Sequence, residues 1–337
     1  VLFVSVIFGA ATGIVGASVT ILGIMSAKTM NRAGYDVQLA AGTITAGGTL
    51  GILIPPSIML VVMGPILNVP VTDLFAAAIM PGLMLATLYT GYTLIRCHLN
   101  PSLGPVVPED MIPDTMKEVW IEFFKGLVPP VLLVGSSLGS ILAGLATPTE
   151  GAAMGAVGAI FLTLAYRKLN FKVFQEALLK TLEITTLIMI LVCASNFFGS
   201  VFSRLGTPTM ITEALMLLDL PPTAILLIVM ALIFLLAWPL EWVPIVLIIV
   251  PIVLPLIEQL GFNLTWFGIL VAVNLQTAWL SPPVALSAYF LKGVAPEWDL
   301  SDIYKGMMQF MAIQVVGLAL IIIFPQIVLW LPGYLYG

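Results

Sequence analysis

Apolar runs dominate this chain, and short polar stretches divide them. Runs can be read at about 1–27, 39–66, 74–95, 126–146, 149–166, 182–203, 223–258, 264–291 and 307–331. Most approach the roughly 20 apolar residues that cross a bilayer as one helix, so the pattern predicts an all-α polytopic membrane protein. The stretch at 97–125 differs. It carries Glu109, Asp110, Asp114, Lys117, Glu118, Glu122 and Lys125, and over 111–124 its acids alternate with Met, Val, Trp and Phe at near-helical spacing. An amphipathic helix on the membrane surface is expected there.

Two runs do not suit a single crossing. The run at 223–258 is too long for one span, and its middle reads Trp238-Pro239-Leu240-Glu241-Trp242-Val243-Pro244. Each arm is then about 15 residues, or roughly 22 Å at the α-helical rise, short of a hydrocarbon core of about 30 Å. A re-entrant hairpin with Glu241 at its tip follows. The run at 1–27 has a small, polar middle of Gly9, Thr12, Gly13, Gly16, Ser18, Thr20 and Gly23. It reads as a second such hairpin, and the same glycines would also suit close helix packing.

Charge tests both hairpins. If each enters and leaves on one side and every other run crosses, then Lys28, Arg32, Arg96, Lys117, Lys125, Arg167, Lys168, Lys172, Lys180, Lys292 and Lys305 share a face, with only Arg204 opposite. Cations accumulate in cytoplasmic loops, so the stretches 28–38, 97–125, 167–181 and 292–306 are expected in the cytoplasm. Three units result: a first repeat at 1–95, a cytoplasmic loop at 96–125 and a second repeat at 126–337.

The candidate chemistry lies in two motifs. One is Thr43-Ile44-Thr45-Ala46-Gly47-Gly48-Thr49-Leu50-Gly51-Ile52-Leu53-Ile54-Pro55-Pro56-Ser57; the other is Asn274-Leu275-Gln276-Thr277-Ala278-Trp279-Leu280-Ser281-Pro282-Pro283. Each sets a Pro-Pro pair in mid-membrane. Proline donates no backbone hydrogen bond, so Pro55 and Pro56 free the carbonyls of Gly51 and Ile52, while Pro282 and Pro283 free those of Ala278 and Trp279. Bare carbonyls at membrane depth need a protein partner or a cation in a cavity. Each break follows a hairpin tip by about 40 residues, and the two halves have opposite orientation on the charge-derived topology. Paired discontinuous helices in inverted repeats mark the midplane site of secondary transporters. Glu241, the most deeply placed carboxylate, is a site candidate by its depth; a tip residue reaching solvent is the plainer alternative. Hydroxyls such as Ser57 and Ser281, with helix N-termini, would suit a carboxylate.

Composition narrows the classes. Hydrophobic residues make up 60% of the 337 positions and charged ones 9%, with a mean hydropathy of +1.13, against about 25% charged in soluble domains. The net charge of −5 adds little. Cys97 and Cys193 stand alone, without a metal or disulfide pattern. Gly135-Ser136-Ser137-Leu138-Gly139 matches G-x-S-x-G but lies in a helical run, and that motif needs a strand, a turn and a histidine partner. The single histidine, His98, sits at a run's end beside Arg96. Thr147-Pro148-Thr149-Glu150 reads as a capping box that starts a helix. No ATP-binding loop is seen, so an ion gradient or an unseen partner is the expected energy source, and no enzyme is expected. A passive channel would need a continuous polar stripe, and a non-transporting scaffold would not need two matched breaks. The chain opens with Val1 inside an apolar run, without a basic leader. It is expected to be part of a longer permease lacking its N-terminal spans.

At these motifs the chain resembles the large permease subunit of TRAP (tripartite ATP-independent periplasmic) transporters, the DctM-like family. The matching stretches are Phe8-Gly9-Ala10-Ala11-Thr12-Gly13, Gly34-Tyr35-Asp36, 42–57, 146–155, 274–283 and Leu291-Lys292-Gly293-Val294-Ala295-Pro296. The resemblance implies an elevator-type, ion-transporter-like fold in a bacterial inner membrane, whose mobile domain carries Na+ and an organic acid such as a dicarboxylate. It implies two partners, a small DctQ-like membrane subunit and a periplasmic solute-binding protein. No cofactor beyond Na+ as coupling ion is expected. Carried over residue by residue, Thr12, Gly13, Gly16, Ser18, Thr49, Gly51 and Ile52 match one Na+ half-site, and Glu241, Thr277, Ala278 and Trp279 match the other. Pro55, Pro56, Ser57, Asn274, Ser281, Pro282 and Pro283 would meet the substrate between them. Two positions depart from the pattern. Many members carry Gly-Ser-Ser where this chain has Gly13-Ile14-Val15, and an acid often stands where it has Pro244.

Overall fold

The computed structural model describes residues 1–106 and 115–337, the side chains of Glu118 and Glu122 aside. Among these residues every regular element is helical, and six helices are long and apolar enough to cross a membrane.

The first hairpin has two arms, α1 (Leu2–Thr12) and α2 (Val15–Arg32). Gly13 ends α1 in the left-handed conformation, φ 62°, and its N–H bonds the Gly9 carbonyl; that backbone shape favours glycine. Asp36 caps α3 (Val37–Thr49) by accepting the Leu39 N–H at 2.9 Å. Small residues fill α3, and it is buried from Leu39 through Thr49. It unwinds through a 3₁₀ turn at Leu50–Ile52 into Pro55-Pro56, and α4 (Ile58–Leu67) resumes beyond Ser57. The run expected as a broken helix at 39–66 is thus two helices with an irregular link. The long α5 (Val71–Leu99) closes this half.

Several boundaries differ from the sequence reading. The helix α6 (Met116–Leu142) runs without interruption from the amphipathic stretch into the apolar run expected at 126–146. A separate surface helix over 111–124 is therefore not what forms from Met116 onward, while Glu109, Asp110 and the residues 111–114 lie outside the described residues. The capping box is present: Thr147 N–H donates to the Glu150 carboxylate at 2.8 Å, and Glu150 N–H to the Thr147 hydroxyl at 3.3 Å, opening α7 (Pro148–Ala165). The next helix, α8 (Phe171–Arg204), starts well before the expected 182, because Asn170 caps it and the pairs Lys172–Glu176 and Lys180–Glu183 suit helical spacing. A short α9 (Thr207–Met216) follows, which apolar patterning alone does not mark.

The second hairpin rises through α10 (Pro222–Leu236), only 15 residues long. Its return arm is irregular: α11 (Trp242–Pro244), a π-helical stretch at Ile245–Ile249, then α12 (Val250–Gln259). Pro251 cannot donate to the Leu247 carbonyl, so the regular ladder fails there. The second broken run is α13 (Leu264–Leu275), α14 (Thr277–Leu280), a Ser281-Pro282-Pro283 link and α15 (Leu286–Val294). The expected last span is two helices, α16 (Leu300–Ile323) and α17 (Gln326–Tyr336), parted at Pro325.

The core gathers around α3, which packs against α2 and α16, while α13 sits between α5 and α16. Close approach is possible because the contacts are small: a Cβ on Gly306 of α16 would lie 2.0 Å from the Gln38 carbonyl oxygen. Packing by small residues is how helices associate in lipid. By contrast α8 presents large exposed apolar side chains along its length, Leu178, Leu187, Ile190 and Phe197 among them.

Candidate ion and substrate site

The first hairpin tip packs directly on the first break. A Cβ on Gly9 would lie 3.0 Å from the backbone of Gly51, and one on Gly51 would lie 2.8 Å from Ser18 Oγ. Gly13 faces the Pro56 carbonyl, which a Cβ would approach to 3.1 Å. At this contact the hydroxyls of Thr12 and Ser18 hydrogen-bond each other; one proton serves that bond and the other a backbone carbonyl, from Thr12 to Phe8 O at 2.9 Å or from Ser18 to Ile14 O at 3.0 Å. Thr12, Gly13, Ser18, Gly51 and Pro56 therefore share one locus. Gly16 does not: it lies under the Phe290 ring, where its smallness serves packing with α15.

The break supplies part of its own hydrogen bonding. The carbonyl of Ile52, freed by Pro56, accepts the Ser57 hydroxyl, and the same oxygen of Ser57 stands 3.5 Å from the Leu60 N–H that begins α4. Thr49 donates its hydroxyl to Ala46 O at 2.8 Å. Its carbonyl is reached from the other half: Gln276 Nε2 donates to Thr49 O at 3.2 Å. Gln314 Nε2 on α16 donates to Gln276 Oε1 at 3.0 Å and to Val273 O at 2.7 Å, and Tyr89 OH stands 3.5 Å from Gln314 Oε1. All four residues are buried. This chain of amides fastens the two breaks together. Sequence reasoning passed over Gln276, Gln314 and Tyr89 as site residues, although an uncharged amide in the middle of a span is itself a signal.

At the second break, Asn274 Nδ2 donates to Met230 O of the second hairpin at 2.8 Å, while its Oδ1 is buried without a partner among the described residues. Thr277 donates to Asn274 O at 2.6 Å and Ser281 to Thr277 O at 2.7 Å, with Met311 Sδ 2.9 Å from the Ser281 hydroxyl oxygen. Ala278 is buried beside them, Pro282 is half-buried and Pro283 is exposed.

A cavity of about 150 Å³ lies where both tips and both breaks meet. The first tip contributes Gly13, Ile14 and Val15, and its break contributes Ile52. The second tip contributes Glu241, Trp242 and Val243, and its break Trp279. An apolar wall from α8, Ile184, Leu187, Ile188 and Leu191, closes the remaining side. Among the described residues Glu241 is the only charged side chain on this lining, and it is exposed, as a tip residue reaching the surface would be. A larger groove of about 850 Å³ between α1, α2 and α5 is chemically blank by comparison. Its Thr87, Thr90 and Thr93 hydroxyls are spent on carbonyls of their own helix. Among the described residues no cluster of His, Cys, Asp or Glu could hold a transition metal. Ser136 and Ser137 lie within α6 and donate to Leu133 O and Gly151 O, so the G-x-S-x-G match is a continuous helix whose Ser137 packs on α7.

Comparison with known proteins gives consistent matches. The chain is 26% identical over 334 residues to the sialic acid TRAP transporter permease protein SiaT of Haemophilus influenzae, covering 98% of this chain and 53% of that protein. It is 28% identical to the sialic acid TRAP transporter large permease protein SiaM of Vibrio cholerae, covering 99% of this chain and 76% of that one. It is 30% identical over 332 residues to the C4-dicarboxylate TRAP transporter large permease protein DctM of Pseudomonas aeruginosa, covering 98% and 75%. The chain thus spans about half the length of the Haemophilus relative and about three-quarters of the other two. The family model described as the tripartite ATP-independent periplasmic transporter, DctM component, matches residues 1–327. An all-helical membrane fold, two interrupted helices and a match over nearly the whole chain agree: the chain belongs to the DctM component family of tripartite ATP-independent periplasmic transporters.

Proposed function

We propose that this chain is the large membrane subunit of a binding-protein-dependent secondary transporter that takes up an organic acid with Na+. Its partners would be a small membrane subunit and a periplasmic solute-binding protein, and its membrane the bacterial inner membrane. One observation supports the reading: two hairpin tips and one residue from each broken stretch, Ile52 and Trp279, line a single cavity with the Glu241 carboxylate and, among the described residues, no basic side chain. A carboxylate substrate placed there gains from a cation between itself and Glu241. Side-chain oxygens stand near both breaks: the Ser18 hydroxyl lies against Gly51 at the first, and Asn274 Oδ1 has no partner among the described residues at the second. Broken helices presenting carbonyls and hydroxyls are the usual Na+ ligands in inverted-repeat transporters.

The test is uptake into proteoliposomes holding the complete system, with radiolabelled organic acids and with or without an inward Na+ gradient. Accumulation that needs both Na+ and the binding protein supports the proposal. Binding-protein-dependent uptake indifferent to Na+ would remove the cation role.

A further inference from the structure

We propose that the turn between α7 and α8 binds the phosphodiester headgroup of an anionic phospholipid, held by Arg167 and Lys168 with Lys172 and Lys180 beside them. The proposal is independent of the transported solute and of the coupling ion.

Four observations point the same way. The first is depth. Both α7 and α8 are long and apolar enough to cross a membrane, so residues 166–170 between them lie at its surface. The 34 residues of α8 span roughly 50 Å at the helical rise, against a hydrocarbon core of about 30 Å. Its polar first turns therefore stand at headgroup level. The second is charge. Arg167, Lys168, Lys172 and Lys180 crowd one stretch, and from 126 to 212 the only acids are Glu150, Glu176 and Glu183. Glu150 is at the other end of α7, in its capping box. Glu176 and Glu183 pair with Lys172 at 3.9 Å and Lys180 at 2.7 Å, exposed pairs of the kind that hold their partners weakly. Arg167 and Lys168 are exposed and have no acidic partner among the described residues.

The third is an apolar rim. Phe171 is 81% exposed and Tyr166 is 49% exposed. The Tyr166 hydroxyl donates to the Lys125 carbonyl at 2.7 Å, which sets it beside the first turns of α6. There Trp120, Phe123 and Phe124 are exposed and pack on one another. Aromatic rings gather at the headgroup level of a bilayer, and cations beside them attract anionic lipid. The fourth is Arg167 itself. It follows α7 in the left-handed conformation, φ 54°, with its N–H on Leu164 O at 2.9 Å and the Lys168 N–H on Thr163 O at 3.0 Å. Glycine is the usual residue at such a helix end, because a side chain there costs strain. A cation near a helix C-terminus gains from the dipole, which accounts for one charge and not for four. Cations also set the orientation of a membrane protein, but that does not require arginine where glycine fits best.

Native mass spectrometry of the delipidated permease with its small subunit tests the proposal, with dioleoylphosphatidylglycerol and dioleoylphosphatidylcholine as probes. Phosphatidylglycerol is expected to bind at least about tenfold more tightly, the scale of two cations at a lipid surface. Arg167→Gln combined with Lys168→Gln should abolish that preference. Arg204→Gln, at the far end of α8, should leave it unchanged. Arg167→Gly relieves the left-handed strain, so it should fold at least as stably as wild type while lowering the preference about fivefold. Equal binding of the two lipids, or a preference that survives the double substitution, overturns the proposal. A preference lost equally in Arg204→Gln would reduce it to net charge and overturn the site. Loss of the preference in millimolar inorganic phosphate would assign the patch to a soluble anion and overturn the lipid.

Discussion

Gln276 at the second break donates to the carbonyl of Thr49 at the first, over 3.2 Å and across 227 positions of sequence. One side chain thus joins the ends of both interrupted helices, and Gln314 orients it by occupying its Oε1 at 3.0 Å. Removing either amide strands buried groups on both sides. Gln276→Leu should cost about 1–3 kcal/mol, the penalty for leaving buried donors or acceptors unmade. Denaturation of the purified protein would read it, and Gln314→Leu should behave alike. Because the pair is one network, the double variant should cost less than the sum of the two.

The contact between the first tip and the first break leaves no room for a methyl group at Gly51. Its Cβ would fall 2.8 Å from Ser18 Oγ and 3.1 Å from the Gly9 backbone. Gly51→Ala should push the tip off the break and abolish Na+-stimulated uptake. Gly91 on α5 is the control, since nothing stands within 4 Å of its added Cβ. Gly91→Ala should leave uptake unchanged and raise stability by up to about 1 kcal/mol through helix propensity.

Ser57 holds the Ile52 carbonyl and begins α4. Ser57→Ala releases that carbonyl, and a cost of about 1 kcal/mol is expected from the lost bond and cap. Ser57→Thr keeps the hydroxyl and should recover most of it. A thermal-unfolding series of the three proteins would decide the matter.

Glu241 and Glu150 should part company. Glu241 faces the cavity, so Glu241→Gln should raise the Na+ concentration for half-maximal uptake at least about tenfold, the scale of one charge-assisted contact. Glu150 closes a capping box at the start of α7. Glu150→Gln keeps a side-chain acceptor for the Thr147 N–H, and uptake should stay close to wild type. Dependence of uptake on Na+ concentration measures both.

What the sequence made legible was local chemistry. Pro55, Pro56, Pro282 and Pro283 announce their breaks because proline has no N–H to donate, and the short arms of 223–258 announce a hairpin by length alone. The small residues at Gly9 and Gly51 hinted at a close approach without naming each other. What stayed hidden was pairing at a distance. Gln276 and Gln314 are 38 positions apart, and nothing in either local sequence says that one amide meets the other. The Trp279 N–H, buried without a partner among the described residues, is equally invisible, since an absent neighbour leaves no pattern. The length of α8 was missed because its first turns are polar, held by Lys172–Glu176 and Lys180–Glu183, whereas the apolar run begins later. Gly16 was assigned to the ion site by the family resemblance, and the structure sets it against the Phe290 ring.

The central claim is that the tip around Thr12 and Ser18, seated on Gly51, holds a Na+ ion. Thermal unfolding of the purified permease in NaCl, KCl and choline chloride of equal ionic strength tests it most directly, because a ligand that binds only the folded state stabilises it by mass action. The account predicts that Na+ raises the unfolding temperature with a saturable concentration dependence, that K+ and choline do not, and that Thr12→Val combined with Ser18→Ala weakens the Na+ effect by at least about tenfold in concentration. Equal stabilisation by all three salts, or a Na+ effect untouched by the paired substitution, would contradict it.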